Sequence, residues 1–143
     1  MPLPDPYPGL VICYAHLWYD QHRLAQEEGS KDRPCVVVLS VTSEDGDTAV
    51  TVAPITRTPP KVAGDGVEIP TATGQRLGLD GERSWVIVTE VNRFHWPGPD
   101  LRQVHSSRPG TYEYGFLSPG LFRQVRAGIV AAAKPALLKT APR

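Results

Sequence analysis

The stretch Arg33-Pro34-Cys35-Val36-Val37-Val38-Leu39-Ser40 decides the fold of this chain, together with a second apolar run at Val52-Ala53-Pro54-Ile55-Thr56. Both runs are rich in β-branched residues, which favour strands. The residues between them, Ser43-Glu44-Asp45-Gly46-Asp47, are typical of a turn, and the glycine can supply a positive φ. The sequence therefore predicts a β-hairpin made of strands 36–42 and 48–55.

Two polar side chains flank this predicted hairpin. Arg33 precedes the first strand and Thr56 follows the second. Because the strands of a hairpin are antiparallel, both side chains are expected at the same end of a small sheet. A guanidinium next to a hydroxyl is well suited to holding a phosphate. The hairpin therefore predicts a candidate phosphate site at its open end.

Further strands are predicted on both sides of the hairpin. The first apolar run of the chain has the composition of a strand buried on both faces, and a long polar connection follows it. Two later segments favour a short edge strand and a longer strand. These predicted segments are the strand 9–15, the connection 16–32, the edge strand 66–70 and the long strand 83–91.

A helix is predicted near the C-terminus. Ser118 can serve as its N-cap and Pro119 as its first helical residue. An apolar stripe then recurs at three- and four-residue spacing at Leu121, Phe122, Val125 and Ile129. Strands first and one clear helix last predict an α+β fold, in which the helix docks on a mainly antiparallel β-barrel or curled sheet.

Composition limits the classes of protein to which this chain can belong. Its 143 residues fit one domain, predicted over 9–134, with an extended tail over 1–8 and a C-terminal tail over 135–143. The 15 basic and 15 acidic side chains cancel, which argues against a protein that coats a nucleic-acid duplex. Cys13 and Cys35 lack the spacing of a zinc site and are expected to be buried thiols. No membrane span or signal segment is apparent, so a cytoplasmic location is expected.

Five segments resemble, in order and spacing, the MazF/PemK family of toxin endoribonucleases. The resemblance spans most of the chain, roughly residues 9–133. The segments are Gly9–Ile12, Arg33–Ser40, Val52–Thr56, Ser84–Val88 and Gly115–Ser118. The resemblance implies an SH3-like barrel, a homodimer, cleavage of single-stranded RNA at a short sequence without a metal or other cofactor, and neutralisation by a cognate antitoxin protein.

The resemblance also implies a catalytic pair. Arg33 takes the position of the catalytic arginine, and Thr56 takes the position of a hydroxyl that polarises the same phosphate. Arginine suits this chemistry because its planar fork holds two phosphate oxygens and stays cationic at any working pH. From the residues alone, a solvated charge beside a strand is the commoner explanation of Arg33, and a plain strand former is that of Thr56. A shift of register would exchange Thr56 with Arg57 or Thr58.

Other residues are candidates for RNA binding. By the resemblance, Glu28 lies in the loop that covers the cleft, although this loop departs from the family pattern, and a solvated loop charge is the alternative. Arg57 is a candidate phosphate contact, and Ser84 begins the next matching strand. Asn92 could hydrogen-bond a base edge and Arg93 a phosphate, since single-stranded RNA is recognised through splayed bases. For Trp96, a stacking platform and a cap over the core both remain open.

No metal site is predicted. The four histidines are scattered through the chain, and no carboxylate cluster accompanies them. A glycine-rich phosphate loop and a nucleophile elbow are missing as well. Two alternatives to a nuclease remain: a barrel of this kind that binds a protein target, as some toxins bind DNA gyrase, and an RNA binder that does not cleave.

Overall fold

The computed structural model of the chain describes residues 5–18, 32–79, 82–102, 104, 111–133 and 138–142. Within them, eight strands form one sheet, and the fold is α+β. The strands are β1 (Leu10–Tyr14), β2 (Arg33–Thr42), β3 (Thr48–Thr56), β4 (Gly66–Glu68), β5 (Trp85–Ile87), β6 (Glu90–His95), β7 (Glu113–Phe116) and β8 (Lys139–Pro142). The helices are α1 (Thr71–Arg76) and α2 (Pro119–Ala133), and a 3-10 turn covers Ala63–Asp65.

The strands of the sheet follow the order β4-β5-β3-β2-β1-β7, and β6 branches from β3 and carries β8. Among the described residues the sheet is open, with β4 and β7 at its two ends. All strand pairs are antiparallel except β6 with β8. The predicted edge position of the strand near residue 66 is confirmed, because β4 pairs only with β5.

The predicted hairpin is confirmed as β2 and β3. Its register runs from Cys35 opposite Pro54 to Thr42 opposite Thr48, with a shift between Val37 and Leu39. Such a shift leaves an extra residue in one strand and increases the local twist. The turn depends on Gly46, whose φ is +93°, as the sequence predicted.

Strand β1 lies in the interior of the sheet, between β2 and β7. All five of its residues are buried, which confirms the prediction of a strand covered on both faces. Successive side chains of a strand point to opposite faces. Leu10, Ile12 and Tyr14 accordingly pack in one apolar cluster, whereas Val11 packs in the other.

The long strand predicted over 83–91 needs a correction, because the structure divides it into β5 and β6. Val86 of β5 pairs with Ile55 of β3, and Asn92 of β6 pairs with Val52. Val52 and Ile55 are three positions apart on β3, whereas their partners Val86 and Asn92 are six positions apart in the chain. The three extra residues interrupt the strand at Val88 and Thr89. Sequence pattern alone conceals this break, because the apolar run continues through it.

Helix α2 covers one face of the sheet, as predicted. The Leu121 N–H donates to the Ser118 hydroxyl at 3.4 Å, in keeping with the predicted N-cap. Leu121 and Val125 are buried, and Phe122 and Ile129 pack against the same cluster. Neither this helix nor any other in the described part of the chain is long and apolar enough to cross a membrane.

Three elements differ from the sequence predictions. Strand β7 and helix α1 were not predicted, since each is short and lacks a clear apolar period. The predicted C-terminal tail over 135–143 also needs a correction: Lys139–Pro142 forms β8, which pairs in parallel with β6, and Ala141 is buried. Proline is tolerated there because β8 lies at an edge of the sheet.

Replacing Gly46 with alanine is expected to destabilise the hairpin. The backbone at Gly46 has φ of +93°, a region that costs L-residues roughly 1–2 kcal/mol. No steric clash would contribute, since an added Cβ meets no atom within 4 Å. The measurement is the free energy of unfolding in urea. Gly64→Ala is the matched control, because that site is equally open and has no positive φ; an equal loss in both variants would contradict the argument.

Candidate functional site

A groove of about 1340 Å³ opens at the end of the hairpin where the sequence placed the candidate phosphate site. Its walls come from the start of β2, the end of β3, the loop that follows β3, the end of α1 and strand β7. Arg33 and Thr56 both line it. Cys35 pairs with Pro54, and Arg33 and Thr56 lie two residues further out on each strand. Because side chains alternate along a strand, the pairing places both on one face.

Arg33 is half-buried in the wall of this groove. Its guanidinium carbon lies 5.1 Å from the centre of the Trp18 ring, and its Nε is buried without a hydrogen-bond partner. The neighbouring carboxylate of Asp32 lies 3.6 Å from Arg102. Burial lowers the pKa of Arg33 below its ordinary value, an effect that Cys35 partly opposes. Within the described residues, the guanidinium of Arg33 forms no hydrogen bond or ion pair, so a bound anion would compensate its desolvation.

Thr56 ends β3 and is half-buried. Its Oγ1 accepts a hydrogen bond from the Thr58 N–H at 3.1 Å. A hydroxyl that accepts one bond can still donate its own proton. The Thr56 hydroxyl is therefore held in place by the following turn, with its proton free for an acceptor in the groove. Thr58 and Arg57 also line the groove, so both alternatives that the sequence left open lie nearby.

Two of the predicted RNA-binding residues also line the groove. Arg57 is exposed and lies 3.8 Å from Glu82. An exposed ion pair of this kind is weak, so Arg57 can exchange its partner at little cost. Ser84 is buried at 6% exposure, directly before β5. The structure thus brings four of the predicted site residues together: Arg33, Thr56, Arg57 and Ser84.

The prediction that Asn92 contacts RNA needs a correction. Asn92 is fully buried, and both ends of its amide bind the backbone of Leu17. Because the side chain is fully buried and its amide binds Leu17, it presents no edge to a base at the surface. Arg93 is exposed on β6, opposite Thr51 of β3, and does not line the groove. Strand alternation separates these neighbours, because Asn92 faces the interior where Arg93 faces outward.

The remaining candidates do not extend the groove. Trp96 packs on Phe94, with ring centres 6.1 Å apart, so it caps the apolar cluster beneath β6. Glu28 lies outside the described residues, as does most of the connection that precedes Arg33. In the part of the chain that the structure describes, no group of three or more histidine, cysteine or acidic side chains could hold a metal ion.

Sequence reasoning missed the roles of Trp18 and Tyr114 in the groove. Trp18 lies four residues beyond the end of β1, and that end of β1 pairs with the start of β2, where Arg33 lies. Tyr114 lies on β7 and hydrogen-bonds the thiol of Cys13. The only sequence signal for Trp18 was an aromatic residue shortly after a buried strand. For Tyr114 there was none, since β7 itself was not predicted.

Among the described residues, the charges along the groove balance. These lining residues include four basic side chains, Arg33, Arg57, Lys61 and Arg76, and four acidic ones, Asp32, Asp65, Glu90 and Glu113. The described lining therefore carries no excess of positive charge, unlike a channel that binds any nucleic-acid strand. Attraction of an anion would come from individual cations.

No protein-family model matches this chain, and no curated protein matches it either.

The protein should lose stability at alkaline pH, because three groups at or beneath the groove resist ionisation in the folded state. Burial raises the pKa of the Cys35 and Cys13 thiols and of the Tyr114 phenol. Because these pKa values are higher in the folded than in the unfolded protein, their contribution is fully present at low pH. It declines progressively as pH rises from the unfolded values, ordinarily 9.0 for cysteine and 10.0 for tyrosine, toward the raised pKa values of the folded protein.

The measurement is the free energy of unfolding in urea between neutral pH and about pH 11. Above about pH 9, the fully buried Cys35 thiol should lower it by up to about 1.4 kcal/mol per pH unit. Cys35→Val is the control, since valine fills a similar volume and cannot ionise. This variant should show a shallower alkaline loss, and a slope identical to that of the wild type would contradict the assignment to Cys35.

Proposed function

We propose that this protein is a metal-independent endoribonuclease that cleaves single-stranded RNA, and that it is the toxin of a toxin–antitoxin pair. One observation carries the proposal. Arg33 is a half-buried guanidinium with no hydrogen bond or ion pair among the described residues, in a groove that it shares with the Thr56 hydroxyl. A buried cation without a carboxylate is a site prepared for an anion. The ordered resemblance to MazF/PemK toxins supports a phosphodiester as that anion.

The chemistry assigns a task to each of the two side chains. In RNA cleavage without a metal, the 2′-hydroxyl gives up its proton to solvent and its oxygen forms a bond to the adjacent phosphorus. The bond to the 5′-oxygen breaks, and this oxygen takes up a proton from solvent, which leaves a cyclic phosphate and a 5′-hydroxyl. Negative charge accumulates on the phosphate oxygens during this step, and a fixed guanidinium stabilises it. In the proposal, Arg33 holds those oxygens. The Thr56 hydroxyl, whose oxygen already accepts a bond from Thr58, donates to the phosphate or the leaving oxygen.

The architecture of the sheet fits this reading. β3 pairs with β2 along one edge and with both β5 and β6 along the other, which curls the sheet around its longest hairpin. We read this arrangement as a partly open SH3-like barrel with α2 docked on it. As a toxin that acts on messenger RNA to inhibit translation and growth, the protein would work in the cytoplasm.

The balanced charge of the groove favours a second candidate. Among the described lining residues, four acidic side chains offset four basic ones, and this mixed surface also suits a protein target. In this reading the barrel binds a protein, or binds RNA without cleaving it, and Arg33 pairs with an acidic group of the partner. The two candidates differ in whether a phosphodiester bond is broken.

Incubation of the pure protein with a mixed-sequence RNA in the presence of a chelator should yield fragments. Arg33→Ala should lower the rate at least about 100-fold, because it removes the charge that stabilises the transition state. Thr56→Val keeps the shape of the side chain and removes the hydroxyl, and we expect a loss of about tenfold. The readout is the rate of fragment formation, with sequencing of the fragment ends to identify the cleavage sequence.

The matched control is Arg126→Ala, since Arg126 is an exposed arginine on α2 that does not line the groove. Its rate should equal that of the wild type. Intact RNA after incubation with the wild-type protein would reject the nuclease and leave the second candidate. If Arg33→Ala cut as fast as Arg126→Ala, the catalytic assignment would be wrong.

The proposal includes a homodimer and an antitoxin partner. Leu39 and Val41 of β2 are each 54% exposed and offer apolar surface for such contacts. Sedimentation at micromolar concentration should give twice the mass of the chain, which is 15.6 kDa. Leu39→Ser combined with Val41→Ser should shift the mass toward a monomer. Val130 supplies the comparison, because it is an exposed apolar residue of α2 and not of β2, and Val130→Ser should leave the dimer intact. A monomeric wild type would count against this part of the proposal.

A further inference from the structure

A buried amide on β6 holds the segment of chain that covers Arg33. The Asn92 Oδ1 accepts from the Leu17 N–H at 2.7 Å, and the Asn92 Nδ2 donates to the Leu17 carbonyl at 2.7 Å. A neighbouring strand would supply the same two bonds to a residue of a ladder. Leu17 lies three residues beyond the end of β1, where that ladder has ended. The side chain of Asn92 thus replaces a strand partner at this one position.

This arrangement fixes the residue that follows Leu17. His16 and Leu17 are both 1% exposed, so the backbone before Trp18 is anchored in the interior. The Trp18 ring meets the His16 ring edge to face, with centres 4.9 Å apart and planes at 75°. Trp18 therefore lines the groove from an anchored stretch of backbone, and the His16 ring packs against its side chain.

The Trp18 ring in turn defines where the Arg33 guanidinium lies. The distance of 5.1 Å from the guanidinium carbon to the ring centre is within the range of a cation–π contact. An arginine side chain has much rotational freedom, and a carboxylate partner often restricts it. Within the described residues Arg33 has no such partner, and Trp18 provides the restraint.

We propose that Asn92, acting through Leu17 and Trp18, fixes the orientation of the Arg33 guanidinium, and that it is a positioning residue for RNA cleavage. Its connection to catalysis rests on the proposed function. Its effect on the geometry of Arg33 does not. Fixed orientation matters because a displacement of about 1 Å can lower an enzymatic rate roughly 100-fold.

A purely structural amide would behave differently. Buried hydrogen bonds contribute to stability wherever they occur, so a loss of stability in an Asn92 variant distinguishes nothing. The proposal instead requires that a change at Asn92 be felt at the Arg33 side chain. The buried Nε–H of Arg33 is a suitable reporter, since burial protects it from exchange with solvent and the Trp18 ring shifts its resonance.

The experiment follows the Arg33 Nε–H resonance by NMR in the full chain, with Arg33→Lys to assign it. Asn92→Ala and Trp18→Leu should each speed its exchange with solvent at least about tenfold. Trp18→Phe keeps an aromatic face and should retain most of the protection. Trp96→Leu is the matched control, because it also removes a half-buried tryptophan but one that packs on Phe94.

A second readout connects the geometry to catalysis. When the concentration of mixed-sequence RNA is varied up to saturation, Asn92→Ala and Trp18→Leu should lower kcat about tenfold and change KM less than about twofold. Trp18→Phe should recover most of the rate. The split between kcat and KM separates misplacement of a transition-state group from loss of an RNA contact.

Each outcome decides the proposal. An unchanged Nε–H resonance in both variants, or an equal change in Trp96→Leu, would overturn it. Faster exchange with an unchanged kcat would overturn the positioning role in cleavage. Faster exchange in a wild type that never cuts RNA would support the geometry and reject the nuclease instead. If Asn92→Ala fails to fold, Asn92→Asp takes its place, since aspartate keeps the oxygen that accepts from the Leu17 N–H and lacks the Nδ2 that donates to the Leu17 carbonyl.

Discussion

The pairing of β2 with β3 is the constraint on which the rest of the structure depends. β3 has β2 along one edge and β5 and β6 along the other, so any change in its register would displace three neighbours at once. A slip by one residue would also turn the apolar side chains of the hairpin outward. The same pairing carries Arg33 and Thr56 to one end of the sheet and one face of it. Fold and candidate site are therefore set by a single register.

Placing a guanidinium at that end has a cost that the fold must offset. Removing a charge from water is unfavourable, and within the described residues no carboxylate faces Arg33. The nearest acidic neighbour in the chain, Asp32, lies beside Arg102 instead. An aromatic face compensates a cation only in part, in the range of 0.5–2 kcal/mol or so. Stability alone does not explain such an arrangement, whereas the proposed binding of an anion would.

The sequence was sufficient to predict the strands and the helix that have a strong apolar pattern. It was insufficient to predict features that depend on contacts between distant parts of the chain. The hairpin, β1 and α2 follow from β-branched runs, a turn glycine and a helical apolar stripe, all of which are local. The break between β5 and β6 is not local, because it arises from a three-residue difference in how two segments pair with β3. Likewise, Arg33 and Thr56 could be placed together because antiparallel strands require it. Asn92 could not be placed, because an alternating pattern does not say which polar residue faces a buried backbone.

The balanced charge of the described groove lining narrows how the proposed nuclease could recognise its substrate. A channel that binds any strand draws its affinity from many phosphate contacts and a positive field. Among the described lining residues, four acidic side chains offset four basic ones, so these residues would supply little affinity from charge alone. In the proposed nuclease, discrimination between RNA sequences then depends on contacts with individual bases. Discrimination between the ground state and the transition state of bound RNA depends on how firmly Arg33 is held. A groove built in this way favours a substrate that places one phosphate against one oriented guanidinium over a substrate that is merely negatively charged.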